Sequence, residues 1–230
     1  MESKTAINFL LYSLAGVTLE SDKKTIVERA SKRAFRDASS HVLSIKEDMK
    51  EELIDEGITT LRDSIIEGLG DSEKDENYDK WHGKLCTELK NIYKDKTADE
   101  RKFTYGIAQK WVNMTMKYLT VFYCVFIQEN PVSDFCQFYR VIAERYEKYF
   151  HAPVDRNILK EVKKEIRGEK EYLKTKNSAW SKWDADEEEW KNEKDIYHIF
   201  EGELKELIKE KESLLEWEMT AWISAQETEK

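Results

Sequence analysis

Residues 103–127 carry only two charged side chains, Lys110 and Lys117, in 25 positions. A helix drawn through them is apolar around most of its girth, so it has to be covered on nearly every side. No stretch of the chain approaches the about 18 uncharged apolar residues of a membrane span, so other helices are expected to do the covering, with no membrane among the partners. The rest of the sequence fits: 8 Gly and 2 Pro in 230 residues are too few for a turn-rich β-fold, and 12% aromatics with seven Trp are too many for a disordered chain. These features predict an all-α, compact multi-helix globular domain spanning residues 1–230, with a buried central helix near 103–127.

Hydrophobic periodicity sets out the other elements. Residues 5–16 read as a short first helix, buried rather than a signal peptide. Ile26, Ala30, Ala34, Ala38, Val42, Ile45, Met49 and Leu53 recur at three- and four-residue spacing, which predicts one long helix opened by Ser21 or Asp22. Gly57 is expected to interrupt it before a continuation to Leu69. Residues 68–79 form the clearest loop and the candidate boundary, and 81–92 return to helical spacing. Asn130-Pro131 should end the central helix, and Ser133 or Asp134 should cap an aromatic helix over 135–150. His151-Ala152-Pro153 stops that helix, residues 155–167 are helical, and an acidic amphipathic helix is expected over 196–225. Three cysteines suit a reducing, cytoplasmic setting better than a disulfide framework.

The formal charge of −9 is unevenly placed. Residues 184–230 hold sixteen acidic and six basic side chains, and the rest of the chain is nearly neutral. Immediately before that acidic stretch, residues 156–182 are basic, which supplies a candidate phosphate-binding face for nucleic acid. The acidic C-terminal helix is the candidate surface for a protein partner.

Two segments carry the candidate chemistry. On a helical wheel Gly106, Lys110, Asn113 and Lys117 fall on one stripe of the apolar helix. Such a stripe is either its wet side or one wall of a polar cleft, in which a desolvated lysine gains nucleophilicity. Downstream, Pro153-Val154-Asp155 places a carboxylate at a helix N-terminus, where free N–H groups stabilise it. Gln109-Lys110 through Lys117, followed by Pro153-Val154-Asp155-Arg156, resembles the active-site pair of helix-hairpin-helix DNA glycosylases, closest to the archaeal 8-oxoguanine branch. The resemblance covers roughly 20 residues and lacks the Gly-rich hairpin that the family places ahead of its lysine. It implies Lys110 as the amine that attacks the sugar C1′ and forms a Schiff base, and Asp155 as the carboxylate that assists it. Gln109, Asn113, Lys117 and Arg156 are then expected on the cleft rim.

His151 and the Trp180-Ser181-Lys182-Trp183 cluster complete the substrate-binding candidates, since paired Trp residues either stack on bases or anchor a loop to the core. Arg36 and His41 have the Arg-x4-His spacing of HEPN-type ribonucleases, also all-helical, and Arg145 with His151 is a looser match. His82 and Cys86 lie four apart, but without a second pair no metal is expected, and no cofactor motif is present. The leading expectation is a glycosylase- or lyase-like protein acting on nucleic acid. The alternatives are a non-catalytic helical interaction module and a HEPN-type ribonuclease.

Overall fold

The computed structural model describes residues 3–46, 49–71, 77–98, 101–165, 179–185, 195–208 and 213–228. Within them the chain forms nine α-helices and no strand: α1 (Ser3–Ala15), α2 (Lys23–Ser39), α3 (Lys50–Ser64), α4 (Tyr78–Ile92), α5 (Tyr105–Glu129), α6 (Asp134–Tyr146), α7 (Arg156–Glu165), α8 (Ile196–Ile208) and α9 (Leu214–Thr228). Among the described residues no helix is long and apolar enough to cross a membrane.

The central helix is α5. Thr104 caps it, its Oγ1 accepting from the Ile107 amide, and Asn130 closes it, its backbone N–H donating to the Phe126 carbonyl. Helix α2 packs along α5, with α4 and α6 beside it. Trp111 is fully buried between α5 and α2, its indole N–H donating to the Ser31 carbonyl at 2.9 Å. The same ring explains Gly57, which does not break α3: a Cβ there would lie 2.6 Å from the Trp111 ring. The glycine makes room for the large core side chain. Helix α3 then runs through Gly57 and widens into a π-turn over Ile65–Leu69.

Three expectations are corrected. The single helix over 21–53 is two, α2 and α3, because the chain turns after Ser39 and His41 takes the left-handed φ of 65°. Residues beyond it enter an isolated bridge, Ile45 with Thr97, so their apolar side chains serve a packed loop instead of a helix face. The acidic helix over 196–225 is also two, α8 and α9, with Ser213 opening the second by accepting from the Glu216 amide. Helix α1 forms but is not buried: Leu11 alone is enclosed, while Phe9, Leu10 and Tyr12 are 64–70% exposed. Val17 and Leu19, just after α1, fill the core there instead.

Much of the basic stretch (166–178), most of the acidic stretch before α8 (186–194) and the middle of the 68–79 loop (72–76) lie outside the described residues.

Candidate functional site

Asp155 opens α7 as its sequence position predicts. One carboxylate oxygen accepts from the amides of Asn157 at 2.8 Å and Ile158 at 3.0 Å. The other faces Lys110, whose Nζ is 3.8 Å away. Lys110 is 8% exposed, and among the described residues its ammonium makes no hydrogen bond. Above it lies the Trp180 ring, 4.4 Å from Nζ to the ring centre, a cation–π contact. Burial lowers the lysine pKa, opposed in part by Asp155, Asp37 and Glu218.

Trp180 is held there by the N-terminus of α5. Gly106 donates its amide to the Trp183 carbonyl at 2.8 Å, and the Thr104 hydroxyl donates to Ser181 at 2.8 Å. A Cβ on residue 106 would stand 2.1 Å from the Trp180 carbonyl, so this seam closes only over glycine. Trp183 is buried against Phe200, and Lys182 between the two Trp residues is exposed.

Two turns along α5, Lys117 repeats the arrangement. Its Nζ lies 2.8 and 3.0 Å from the Glu218 carboxylate of α9, and 5.8 Å from the Trp222 ring. Glu218 is 1% exposed, and burial raises its pKa to about 7 despite Lys117. Lys117 is therefore an ion-paired strut between α5 and α9. Arg156 is exposed at the start of α7.

Gln109 and Asn113 are not on a rim. Both are fully buried, because α4 and α8 roof this side of α5 and polar groups under a roof must be paired. Gln109 donates to the Gly106 carbonyl at 2.8 Å and accepts from Asn113 at 3.1 Å. Asn113 heads a relay: His82 Nε2 donates to its oxygen at 2.9 Å, and its amide donates to the Tyr197 hydroxyl at 2.9 Å and the Ala152 carbonyl at 3.1 Å. Tyr197 donates to His151 Nδ1 at 2.8 Å, and His151 Nε2 donates to Asp79 at 2.7 Å. Burial lowers the His82 pKa well below the usual imidazole range and brings His151 to about 4, so both rings are neutral near pH 7. The His151 hydrogen bond holds the Asp79 carboxyl well below its ordinary range.

Sequence reasoning missed Tyr197 and Glu201, both on α8. Glu201 is 2% exposed, and among the described residues neither oxygen completes a hydrogen bond. Burial raises its pKa to about 8, outweighing Lys205 and the nearby Ala152 amide. Their only sequence signal was that α8 would be amphipathic, which does not distinguish a buried carboxyl from a wet one. His82 and Cys86 are together, 3.8 Å apart, but the imidazole is engaged by Asn113, and the described residues contain no group of three metal-ligating side chains. Arg36 and His41 are both exposed, on either side of the α2 end. Arg145 donates to the Asp71 carbonyl at 3.0 Å, while His151 is buried in the relay.

No family model, curated protein or solved structure matches this chain.

Proposed function

We propose that Lys110 is a Schiff-base nucleophile acting on the sugar of a nucleic acid, with Asp155 as its carboxylate partner, in a glycosylase- or lyase-like reaction. The observation that carries this reading is the Lys110 amine: buried, without a hydrogen bond among the described residues, under an indole ring and 3.8 Å from a helix-capping carboxylate. A lysine kept this way loses its proton more readily than one in water. Its Nζ lone pair would attack C1′ as the bond from C1′ to the base breaks, the base leaving with that electron pair and taking up a proton. Asp155 would stabilise the positive charge that develops on the sugar, since its other oxygen is already fixed by two backbone amides. Opening of the sugar ring then leaves the imine on Lys110.

Borohydride reduction on DNA containing an abasic site tests the reading, because reduction converts the imine to a stable covalent adduct. Adduct with the native chain and none with Lys110→Gln is the expected result. Absence of adduct with the native chain across DNA and RNA abasic substrates would overturn it.

One observation favours a second reading, a helical interaction module. Trp222 and Ile223 on α9 are 39% and 54% exposed side by side on an acidic helix. That reading expects no adduct, and loss of a partner when both are changed to Asp.

A further inference from the structure

Helix α2 turns Ile26, Val27, Ala30, Ala34, Phe35 and Ala38 into the core. On its opposite side Arg29, Lys32, Arg33 and Arg36 fall within about 100° of one another on the helical wheel. Arg29 and Arg36 are exposed, Lys32 and Arg33 half-buried. The two carboxylates of α2 flank this stripe, and both are committed. Glu28 pairs with Arg62 of α3 at 3.3 Å. Asp37 pairs with Arg33 at 3.4 Å and accepts from the Tyr118 hydroxyl of α5 at 2.5 Å. Among the described residues Arg29, Lys32 and Arg36 have no ion pair.

Like charges three and four positions apart weaken a helix, so a stripe of one sign points to negative charge supplied from outside the fold. Its place beside α5 says of what kind. The two helices run side by side in the same sense, with Trp111 donating to the Ser31 carbonyl and Tyr118 to Asp37. Arg29 and Lys32 therefore stand level with Lys110, and Arg36 with Lys117. The Arg33–Asp37 pair borders the stripe on the α5 side, and the Asp37 charge already acts on Lys110. The three cations succeed one another by about 4.5 and 6 Å along the helix axis, at about 1.5 Å per residue. Such a row suits the repeating charge of a phosphate backbone, and two of its members are guanidinium forks.

We propose that α2 carries the phosphate backbone of the nucleic acid whose sugar is presented to Lys110, with Arg29, Lys32 and Arg36 each meeting one phosphate. The proposal rests on the reading of Lys110 as a nucleophile toward nucleic acid, and it gives that substrate a track along α2. Counterions released from the phosphates favour this contact in spite of the formal charge of −9. Phosphate contacts hold a strand without reading its bases, so binding through the stripe is independent of sequence.

Fluorescence anisotropy of the full chain with a labelled DNA duplex carrying a tetrahydrofuran abasic-site analogue tests it, because this analogue binds without forming an imine. Each phosphate contact steepens the dependence of log K on log salt by about 0.9. Between about 50 and 200 mM salt, native binding should therefore fall about fortyfold more than binding by the Arg29→Gln, Lys32→Gln, Arg36→Gln variant. Removing three exposed charges elsewhere, by Lys84→Gln with Lys94→Gln and Lys148→Gln, should keep the native slope. Gln is a good helix former, so circular dichroism of the α2 variant should match the native chain. Equal slopes in the native chain and the α2 variant, no binding of the duplex by the native chain, or tighter binding of polyglutamate than of DNA would overturn the proposal. A borohydride adduct at Lys110 with equal slopes would remove the α2 track and leave the Lys110 reading standing. A slope that depends on the stripe, without any adduct, would do the reverse.

Discussion

Replacing Glu201 by Gln removes a titration without changing the shape of the side chain. In the unfolded chain this carboxyl ionises near its ordinary value of 4.5, whereas in the folded chain it holds its proton to about 8. Between those two values the unfolded state binds fewer protons than the folded one, so folding stability falls as pH rises, at about 1.4 kcal/mol per pH unit. The window from 6.5 to 8 is the clean one. Below 6.5 the two buried imidazoles, whose folded pKa values are depressed, contribute stability that grows with pH and opposes the fall. Glu218 adds its own decline up to about pH 7. Over the 1.5 units from 6.5 to 8 Glu201 therefore accounts for a loss of about 2 kcal/mol, a sizeable part of an ordinary domain stability of about 5–15 kcal/mol. Lys205 and Asp79 face the same carboxyl and are present in both proteins, so they cancel to first order in the comparison. Urea unfolding followed by tryptophan fluorescence at several pH values gives the required free energies. The Glu201→Gln curve should gain on the native one by about 2 kcal/mol across this window. Parallel curves would refute the reasoning, since they would mean that Glu201 is already ionised in the folded chain.

Asn113→Leu should cost at least about 3 kcal/mol by thermal or urea unfolding, because it strands His82 Nε2 and the Gln109 side-chain oxygen in the interior and takes from Tyr197 one of its two hydrogen bonds. Gly106→Ala should displace the 180–183 turn, lowering stability by about 1–3 kcal/mol and reducing any borohydride adduct at Lys110, with the adduct yield as the decisive readout. Truncation after residue 195 uncovers the seats of Tyr197, Phe200, Leu204, Leu214 and Leu215, each worth roughly 1.5–3 kcal/mol in burial. The shortened chain should fail to melt cooperatively, and an unchanged melting temperature would show α8 and α9 to be accessory.

Helix α5 was legible because a long segment with two charges has few ways to exist in water, and Ser133 and Asp155 were legible because capping is local chemistry. The break between α2 and α3 was not, since Val42, Ile45 and Met49 keep the helical period while packing from a loop. The polar stripe was visible, but its division was hidden. Lys110 and Lys117 meet carboxylates at the edge of the fold, whereas Gln109 and Asn113 are sealed under α4 and α8. Their environment is decided by Tyr197, 84 residues away from Asn113, and no local pattern reports a partner at that distance. The N-terminal segment erred the other way: apolar composition implied burial, yet one face of α1 is left in solvent.

The chain of hydrogen bonds from His82 to Asp79 has a direction. The three inner members, amide, phenol and second imidazole, each accept from the group behind and donate to the one ahead, in a row that starts at the first imidazole and ends on the carboxylate. No single member can be reversed alone: turning the Asn113 amide sets its NH2 against the His82 N–H and its oxygen against a phenol whose proton points to His151. The terminal carboxylate accepts and does not donate, so it fixes the sense of the whole row. The two imidazoles are thereby restricted to one tautomer, each protonated on Nε2, and the buried ring protons can leave only by a concerted rearrangement. In solution they should stand out as slowly exchanging imidazole N–H resonances, a signature that ordinary surface histidines lose to water at once.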